Sequence, residues 1–288
     1  MAAPGMLWLF LFSIVPMAGI IIAFQDYVPK SSLFQAIASS PFVGLENFEY
    51  LFSMRESRRV ITNTLIIAGA KIALNLLIPL MFALLLNEVR SRRYKRIVQT
   101  VVYLPHFLSW VILASIILSI FGYDGVVNKF TGIFGKEPVV WMGEPGIFRQ
   151  LVVGTDVWKE FGYNAVIFLA ALTGINPTLY EAASIDGANR IQLVWHVTLP
   201  GLLTTIVLLL VLSLGNVLNA GFDQVFNMYN PMVYSTGDIL DTWVYRIGLT
   251  KLQFSLGTTA GLFKSAISFV LISISYLLAY RFADYTIF

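Results

Sequence analysis

Long apolar runs separated by short polar segments divide this chain of 288 residues. A helix that crosses a bilayer needs about 20 mainly apolar residues. Six runs satisfy that length, at 4–25, 62–87, 97–121, 151–175, 201–222 and 261–282. The polar segments between them are 26–61, 88–96, 122–150, 176–200 and 223–260. The pattern predicts an all-α integral membrane protein with six transmembrane helices. The first run begins almost at Met1 without a basic flank and is longer than a signal-peptide core, so it is expected to be a retained membrane helix. By the same pattern, 1–61 forms a first helix with an outward-facing segment, and 62–288 forms the core of five helices.

Composition agrees. The chain is 57% hydrophobic and 12% charged, with a mean hydropathy of +0.76. Soluble domains carry about 45–50% apolar and about 25% charged residues, so the excess apolar surface here must face lipid. Cysteine is absent, which excludes disulfides, thiolate metal sites and cysteine nucleophiles. Arg90, Arg92, Arg93, Lys95 and Arg96 crowd the 88–96 segment. Basic residues resist export, so this segment is expected in the cytoplasm, and alternation then puts both termini and 176–200 there too. The segments 26–61, 122–150 and 223–260 are expected to face outward. The basic run reads first as a topology signal, and second as a lipid-headgroup or partner site.

Several chemistries are missing from the sequence. Gly135-Lys136 is followed by Glu137 rather than Ser or Thr, so no phosphate-binding loop of the Walker type exists. His106 and His196 form no H-E-x-x-H, no serine lies in G-x-S-x-G, and His106 has no acidic neighbour in its own helix. No catalytic, cofactor-binding or metal-binding residues are expected. No internal repeat is visible, which argues against many secondary transporters.

The polar segment 176–200 is unlike the others. Pro177 and Pro200 bound it, since proline stops one helix and starts the next. Thr178 and Glu181 have the spacing of a capping box, and Gly187 separates two short helical patterns. The first pattern carries Leu179, Ala182, Ala183 and Ile185, apolar groups outside any predicted span. Such a face suits docking in a protein groove. The alternative is a helix lying on the lipid surface, but those carry Lys and Arg on their polar face, whereas this one carries Glu181 and Asp186.

Glu181-Ala-Ala-Ser-Ile-Asp-Gly-Ala188, followed by Leu199-Pro200, resembles the EAA loop of binding-protein-dependent ABC importer permeases. Further stretches resemble the carbohydrate-uptake members: Phe42-Val-Gly-Leu-Glu-Asn-Phe48, Asn63-Thr-Leu65, Tyr103-Leu-Pro-His-Phe-Leu-Ser109 and Phe222-Asp-Gln-Val-Phe226. Asn230-Pro231 with Ile22-Ala-Phe-Gln-Asp-Tyr27 is similar to the subset handling complex oligosaccharides or polysaccharides, including uronate polymers such as alginate. The resemblance implies a type I ABC importer permease fold in the bacterial inner membrane. It implies a second homologous permease, two ATPase subunits that bind ATP and magnesium, and an extracytoplasmic solute-binding protein that delivers the carbohydrate. Glu181, Ala182, Ala183, Asp186, Gly187 and Ala188 would be the ATPase-coupling residues. Membrane lipid completes the set of partners, and nothing points to nucleic acid.

Polar residues inside spans face a cavity or another helix. Trp158, Tyr163 and Asn164 in the fourth run, and Asn216 and Asn219 in the fifth with Asp223 just beyond, suit sugar recognition by ring stacking and hydroxyl hydrogen bonds. They are therefore candidate pathway residues. The competing reading is interhelical bonding, worth ~0.6 kcal/mol per residue. Lys159 and Glu160 pair with each other or reach the surface; Lys71 pairs across the permease interface or meets an acidic sugar. Rival functions are a related permease for a non-sugar solute and a stand-alone secondary transporter, which leaves the EAA loop unexplained.

Overall fold

A computed structural model describes residues 2–215 and 217–283. It is helical throughout, with one isolated antiparallel bridge, Gln25 to Phe42, among the described residues. The principal helices are α1 (Ala3–Phe24), α2 (Arg55–Glu88), α3 (Arg92–Tyr103), α4 (Trp110–Phe121), α5 (Pro145–Thr173), α6 (Pro177–Ile185), α7 (Arg190–Gly215), α8 (Phe222–Met228) and α9 (Phe254–Ala283). Among the described residues α1, α2, α7, α9 and the stretch Trp110–Ile133 that begins with α4 are long and apolar enough to cross a membrane, and α5 joined with α6 across a 70° bend makes a sixth. Alone, α5 is interrupted by Arg149, Asp156, Lys159 and Glu160.

Two predicted helices are broken. The run 97–121 is not one helix: α3 ends at Tyr103, Leu104–Phe107 tightens into a 3₁₀ turn, and Leu108 is extended before Ser109 caps α4 at the Ile112 N–H. Pro105 lacks an N–H and its ring clashes with the preceding turn, which favours a break here, although α2 and α7 pass Pro79 and Pro200 without one. The fifth helix ends at Gly215 instead of 222; Asn219 and Ala220 lie in an irregular link before α8.

The chain forms two compact units: Met1–Thr64 with Asp238–Ile267, and Leu65–Gly237 with Ser268–Phe288. In the first, Leu51, Val60, Leu240, Trp243, Ile247 and Ala260 make a buried core. Polar anchors surround it. Asn47 Nδ2 donates to the Ala23 and Gln25 carbonyls, both at 3.0 Å. Asn63 Nδ2 donates to the Asp238 carbonyl at 3.1 Å, and Thr64 Oγ1 accepts from the Leu240 N–H at 2.8 Å. Arg246 bridges Glu56 at 2.9 Å and Asp238 at 2.6 Å. Burial pushes the Asp238 carboxyl above the usual carboxylate range; Arg246 and Thr242 pull it back and Glu56 adds to the rise.

In the second unit, Leu80, Ala83, Ala165, Phe168, Leu172 and Leu202 form the core between α2, α5 and α7. Helix α3 closes on α5 at Gly162, where a Cβ would lie 2.3 Å from the Val102 carbonyl oxygen. Only glycine permits that approach. The contact brings the end of α3 and the turn after it onto the polar face of α5.

Candidate coupling surface and pathway residues

The 176–185 segment starts with Asn176, whose side-chain oxygen accepts from the Thr178 N–H at 3.0 Å. Pro177 follows at the first helical position, where its missing N–H costs nothing and its φ is already set. The cap is therefore Asn176, and the expected Thr178–Glu181 capping box does not form, because Pro177 places Thr178 inside the first turn. Helix α6 ends in a Schellman motif. The Ala188 N–H donates to the Ala183 carbonyl at 2.9 Å and the Gly187 N–H to the Ser184 carbonyl at 3.1 Å. Gly187 is left-handed, φ +83°, as that motif requires, and no atom lies within 4 Å of the position a Cβ would take.

After the turn, Asn189 and Gln192 form a reciprocal capping box. The second short pattern is not a separate helix, since α7 runs unbroken from Arg190 through Pro200. A wide turn, Val194–Thr198, allows this: the Leu199 N–H reaches the Val194 carbonyl five residues back, loosening the helix just before the proline. Tyr180 Oη and Thr198 Oγ1 meet at 3.0 Å and tie α6 to α7. Glu181, Ala182, Asp186 and Gly187 are exposed, while Ala183 and Ala188 are half-buried. Ile185 is 87% exposed at the tip and Leu179 is also exposed. An apolar knob with small residues at its base stands without a covering partner among the described residues.

A second constellation surrounds a cavity of about 360 Å³ lined by Lys71, Asn75, Asp156, Ser213 and Asn219. Lys71 Nζ donates to Asp156 Oδ1 at 2.9 Å, to the Ala220 carbonyl at 2.8 Å and to Gln224 Oε1. Gln224 Nε2 in turn donates to the Val152 carbonyl at 2.7 Å and Thr155 Oγ1 at 2.9 Å. Asn75 Nδ2 donates to Asp156 Oδ2 at 2.9 Å, while its buried Oδ1 has no protein partner. The ammonium is thus spent inside the chain, correcting the expectation that Lys71 pairs across a subunit interface or meets an acidic sugar. It also staples the irregular 219–221 link to α5, which presents Asn219 at the cavity wall.

A third group lies further along α5. Lys159 Nζ donates to the His106 carbonyl at 2.7 Å and pairs with Glu160 at 2.9 Å, and Glu160 meets His106 Nδ1 at 2.7 Å. The His106 ring stacks on Tyr163 with centroids 3.9 Å apart and parallel planes, and Lys159 lies over Trp110 at 5.6 Å. Lys159 and Glu160 do pair with each other, and His106 joins them from the α3–α4 turn. Trp158 points elsewhere, bordering an apolar cleft of about 360 Å³ with Ile116, Ile120 and Leu151. Asn164 is half-buried and Asp223 is exposed on α8. Asn216 lies outside the described residues. The structure therefore gathers Asn219 with Lys71, Asn75 and Asp156, and keeps Trp158 and Tyr163 apart from them. Asn75, Asp156 and His106 were not among the expected pathway residues; the signal available was Asn75 one turn from Lys71 in an apolar run. Among the described residues no three His, Asp or Glu side chains converge as a metal site.

Comparison with known proteins gives the context. The chain is 40% identical over 99% of its length, and 88% of the relative's, to the polygalacturonan/rhamnogalacturonan transport system permease protein YteP of Bacillus subtilis (strain 168). It is 41% identical to Protein LplB of the same organism, over 93% of this chain and 84% of the relative. It superposes at TM-score 0.89, with 34% identity, on a chain of the bacterial alginate ABC transporter crystallised with an alginate pentasaccharide-bound periplasmic protein, covering 100% of this chain and 95% of that one. Residues 75–284 match the model of the binding-protein-dependent transport system inner membrane component. With its membrane-long helices and the exposed loop between α6 and α7, the chain belongs to the family of binding-protein-dependent transport system inner membrane components.

Proposed function

We propose that this chain is one of two permease subunits of an ATP-driven importer for oligosaccharides or polysaccharides. The observation that carries the reading is the near full-length likeness, at 40% identity, to a permease named for polygalacturonan and rhamnogalacturonan transport. The likeness to an alginate transporter chain supports the same substrate class.

The role follows from the parts. Helix α6 is the coupling element: its exposed Ile185 tip and small Ala182 and Ala183 suit a groove in a cytoplasmic ATPase subunit, with Asp186 and Gly187 shaping the turn and Ala188 completing it. Both termini and the 176–200 loop face the cytoplasm in this reading, because the basic 88–96 segment does. The wall around Asn75, Ser213 and Asn219 offers amide and hydroxyl groups, the chemistry that binds sugar hydroxyls. Lys71 is neutralised by Asp156, so this wall recognises hydroxyls rather than carboxylates.

The test is reconstitution of the whole transporter, with its second permease, ATPase and solute-binding protein, in proteoliposomes. Oligogalacturonides or related oligosaccharides should stimulate ATP hydrolysis and accumulate inside. Stimulation by a non-sugar solute, with no oligosaccharide effective, would overturn the substrate reading. A single cysteine at Ser184→Cys, in a chain that has none, should label only from the cytoplasmic side.

A further inference from the structure

Helix α3 (Arg92–Tyr103) combines two features that the coupling and pathway readings leave unused. Its first two turns and the residues before them hold Arg90, Arg92, Arg93, Lys95 and Arg96, with no acidic residue in the first turn. Only Lys95 is committed within this cluster, donating to the Asn87 carbonyl at 3.0 Å. Arg90, Arg92, Arg93 and Arg96 are exposed, and among the described residues none of these four makes an ion pair. The nearby pair, Arg190 with Glu88 at 3.4 Å, already uses the one carboxylate of the 88–96 segment. Cations at a helix N-terminus oppose the helix dipole, by about 0.3–1 kcal/mol each. Five of them in seven residues also repel one another, so the local balance of this helix favours an external anion.

The second feature is the apolar stripe immediately below. Tyr94, Ile97, Val101 and Leu104 recur at the three- and four-residue spacing of one helix face, and each is more than half exposed. Helix α3 is strongly amphipathic, and it follows α2, a membrane span. An anionic headgroup beside the guanidinium groups with its acyl chains along the stripe would satisfy both halves at once. A soluble polyanion would satisfy the charge and leave the stripe bare, and an apolar protein face would do the reverse.

We infer that the Arg90–Arg96 cluster and the stripe below it form a binding surface for an anionic phospholipid. Each basic residue near an anionic surface contributes about 1 kcal/mol, so two arginines account for roughly a tenfold or greater preference.

The full transporter complex, carrying a fluorophore on a single cysteine at Thr100→Cys, would be placed in nanodiscs of phosphatidylcholine. Thr100 is exposed one turn below Arg96, and its hydroxyl bonds only to the Arg96 carbonyl. Quenching by acyl spin-labelled phosphatidylglycerol is compared with that by the same-chain phosphatidylcholine. The expected selectivity is about tenfold at low salt, falling towards unity in 0.5 M KCl as the charges are screened. It should drop to at most about twofold in Arg92→Gln/Arg93→Gln, which keeps three cations for topology, and survive in Arg92→Lys/Arg93→Lys. Equal quenching by both lipids in the parent chain would overturn the inference, as would selectivity indifferent to salt or to the glutamine changes. Loss of selectivity on adding 10 mM inorganic phosphate would assign the site to a soluble anion instead. Absence of quenching by either lipid in the complex, with quenching in the chain alone, would assign the surface to a protein subunit.

Discussion

Replacing Lys71 with Met removes the ammonium that joins α2, α5 and the 219–221 link while preserving chain length and apolar volume. Lys71 and Asp156 side chains are 9% and 15% exposed, so when its cation leaves the carboxylate keeps little solvation beyond what the adjoining cavity supplies. Asp156 would keep only the Asn75 amide at 2.9 Å. Stranding one member of a buried ion pair costs about 3–5 kcal/mol. If the three donated bonds were ordinary interhelical glue at ~0.6 kcal/mol each, the loss would stay near 2 kcal/mol. With a shift of about 2–4 °C per kcal/mol for a chain of this size, the two cases give roughly 6–20 °C and 4–8 °C in melting midpoint. Because these ranges overlap, the double variant decides. Lys71→Met/Asp156→Leu removes the stranded charge and should regain more than half of the loss, leaving the deficit of the unmet Ala220 and Gln224 acceptors. Midpoints would be read on the purified transporter by size-exclusion after heating, with transport normalised to folded complex. A double variant no more stable than Lys71→Met would refute the ion-pair reasoning.

Further outcomes concern the 176–188 segment, the cavity wall and the first unit. Gly187→Val should uncouple ATP hydrolysis from cargo delivery, since φ +83° costs a β-branched residue about 1–2 kcal/mol, whereas Gly187→Asn should be mild; cargo-stimulated against basal ATPase rates report it. Asn176→Ala should cost about 0.5–2 kcal/mol as a lost cap and exceed the effect of Glu181→Ala, measured as complex stability. Asn219→Ala should cut transport several-fold per folded complex while leaving basal ATPase activity near normal; Trp158→Ala, facing the apolar cleft, should instead change assembly. Because burial raises the Asp238 carboxyl in the folded chain, its contribution to stability is fully present below the ordinary carboxylate pKa and is lost as pH rises through the raised value. Asp238→Asn should flatten that slope in melting midpoints taken from pH 4 to 8.

The apolar runs announced the spans because hydropathy is local, and the start and turn of the 176–188 segment were readable because Pro177 and Gly187 act on their own backbone. Pro200, by contrast, begins no helix, because the wide turn at Val194–Thr198 carries α7 past it. The break after Tyr103 was also within reach, since Pro105 stands in the middle of the run. The early end of the fifth helix was not: Val217 and Leu218 continue the apolar pattern, and the link is held from afar by Lys71. Pairings such as Lys71 with Asp156 or His106 with Glu160 span 54 to more than 80 residues and leave no periodic trace. The motifs that carry the family likeness turn out to be anchors of the fold. Asn47, Asn63, Gln224 and Asn230 each hold a distant backbone carbonyl, so these amides position helices.

The unbroken α7 has a mechanical consequence. From Arg190 to Gly215 it is a single rod of 26 residues, about 39 Å at 1.5 Å per residue. Its wide turn before Pro200 keeps the backbone bonded while loosening it, so the rod is continuous from the 176–188 segment to the link bearing Asn219 and softest at that turn. A force applied at the Asn189 end would therefore arrive at the far end as a tilt, less the bend absorbed at the wide turn. Five degrees about one end sweeps the other through about 3 Å, comparable to the width of a hydroxyl contact. Such a tilt would shift the cavity wall at Asn219, with Lys71 acting as the pin that keeps the tip of the lever attached to its neighbour.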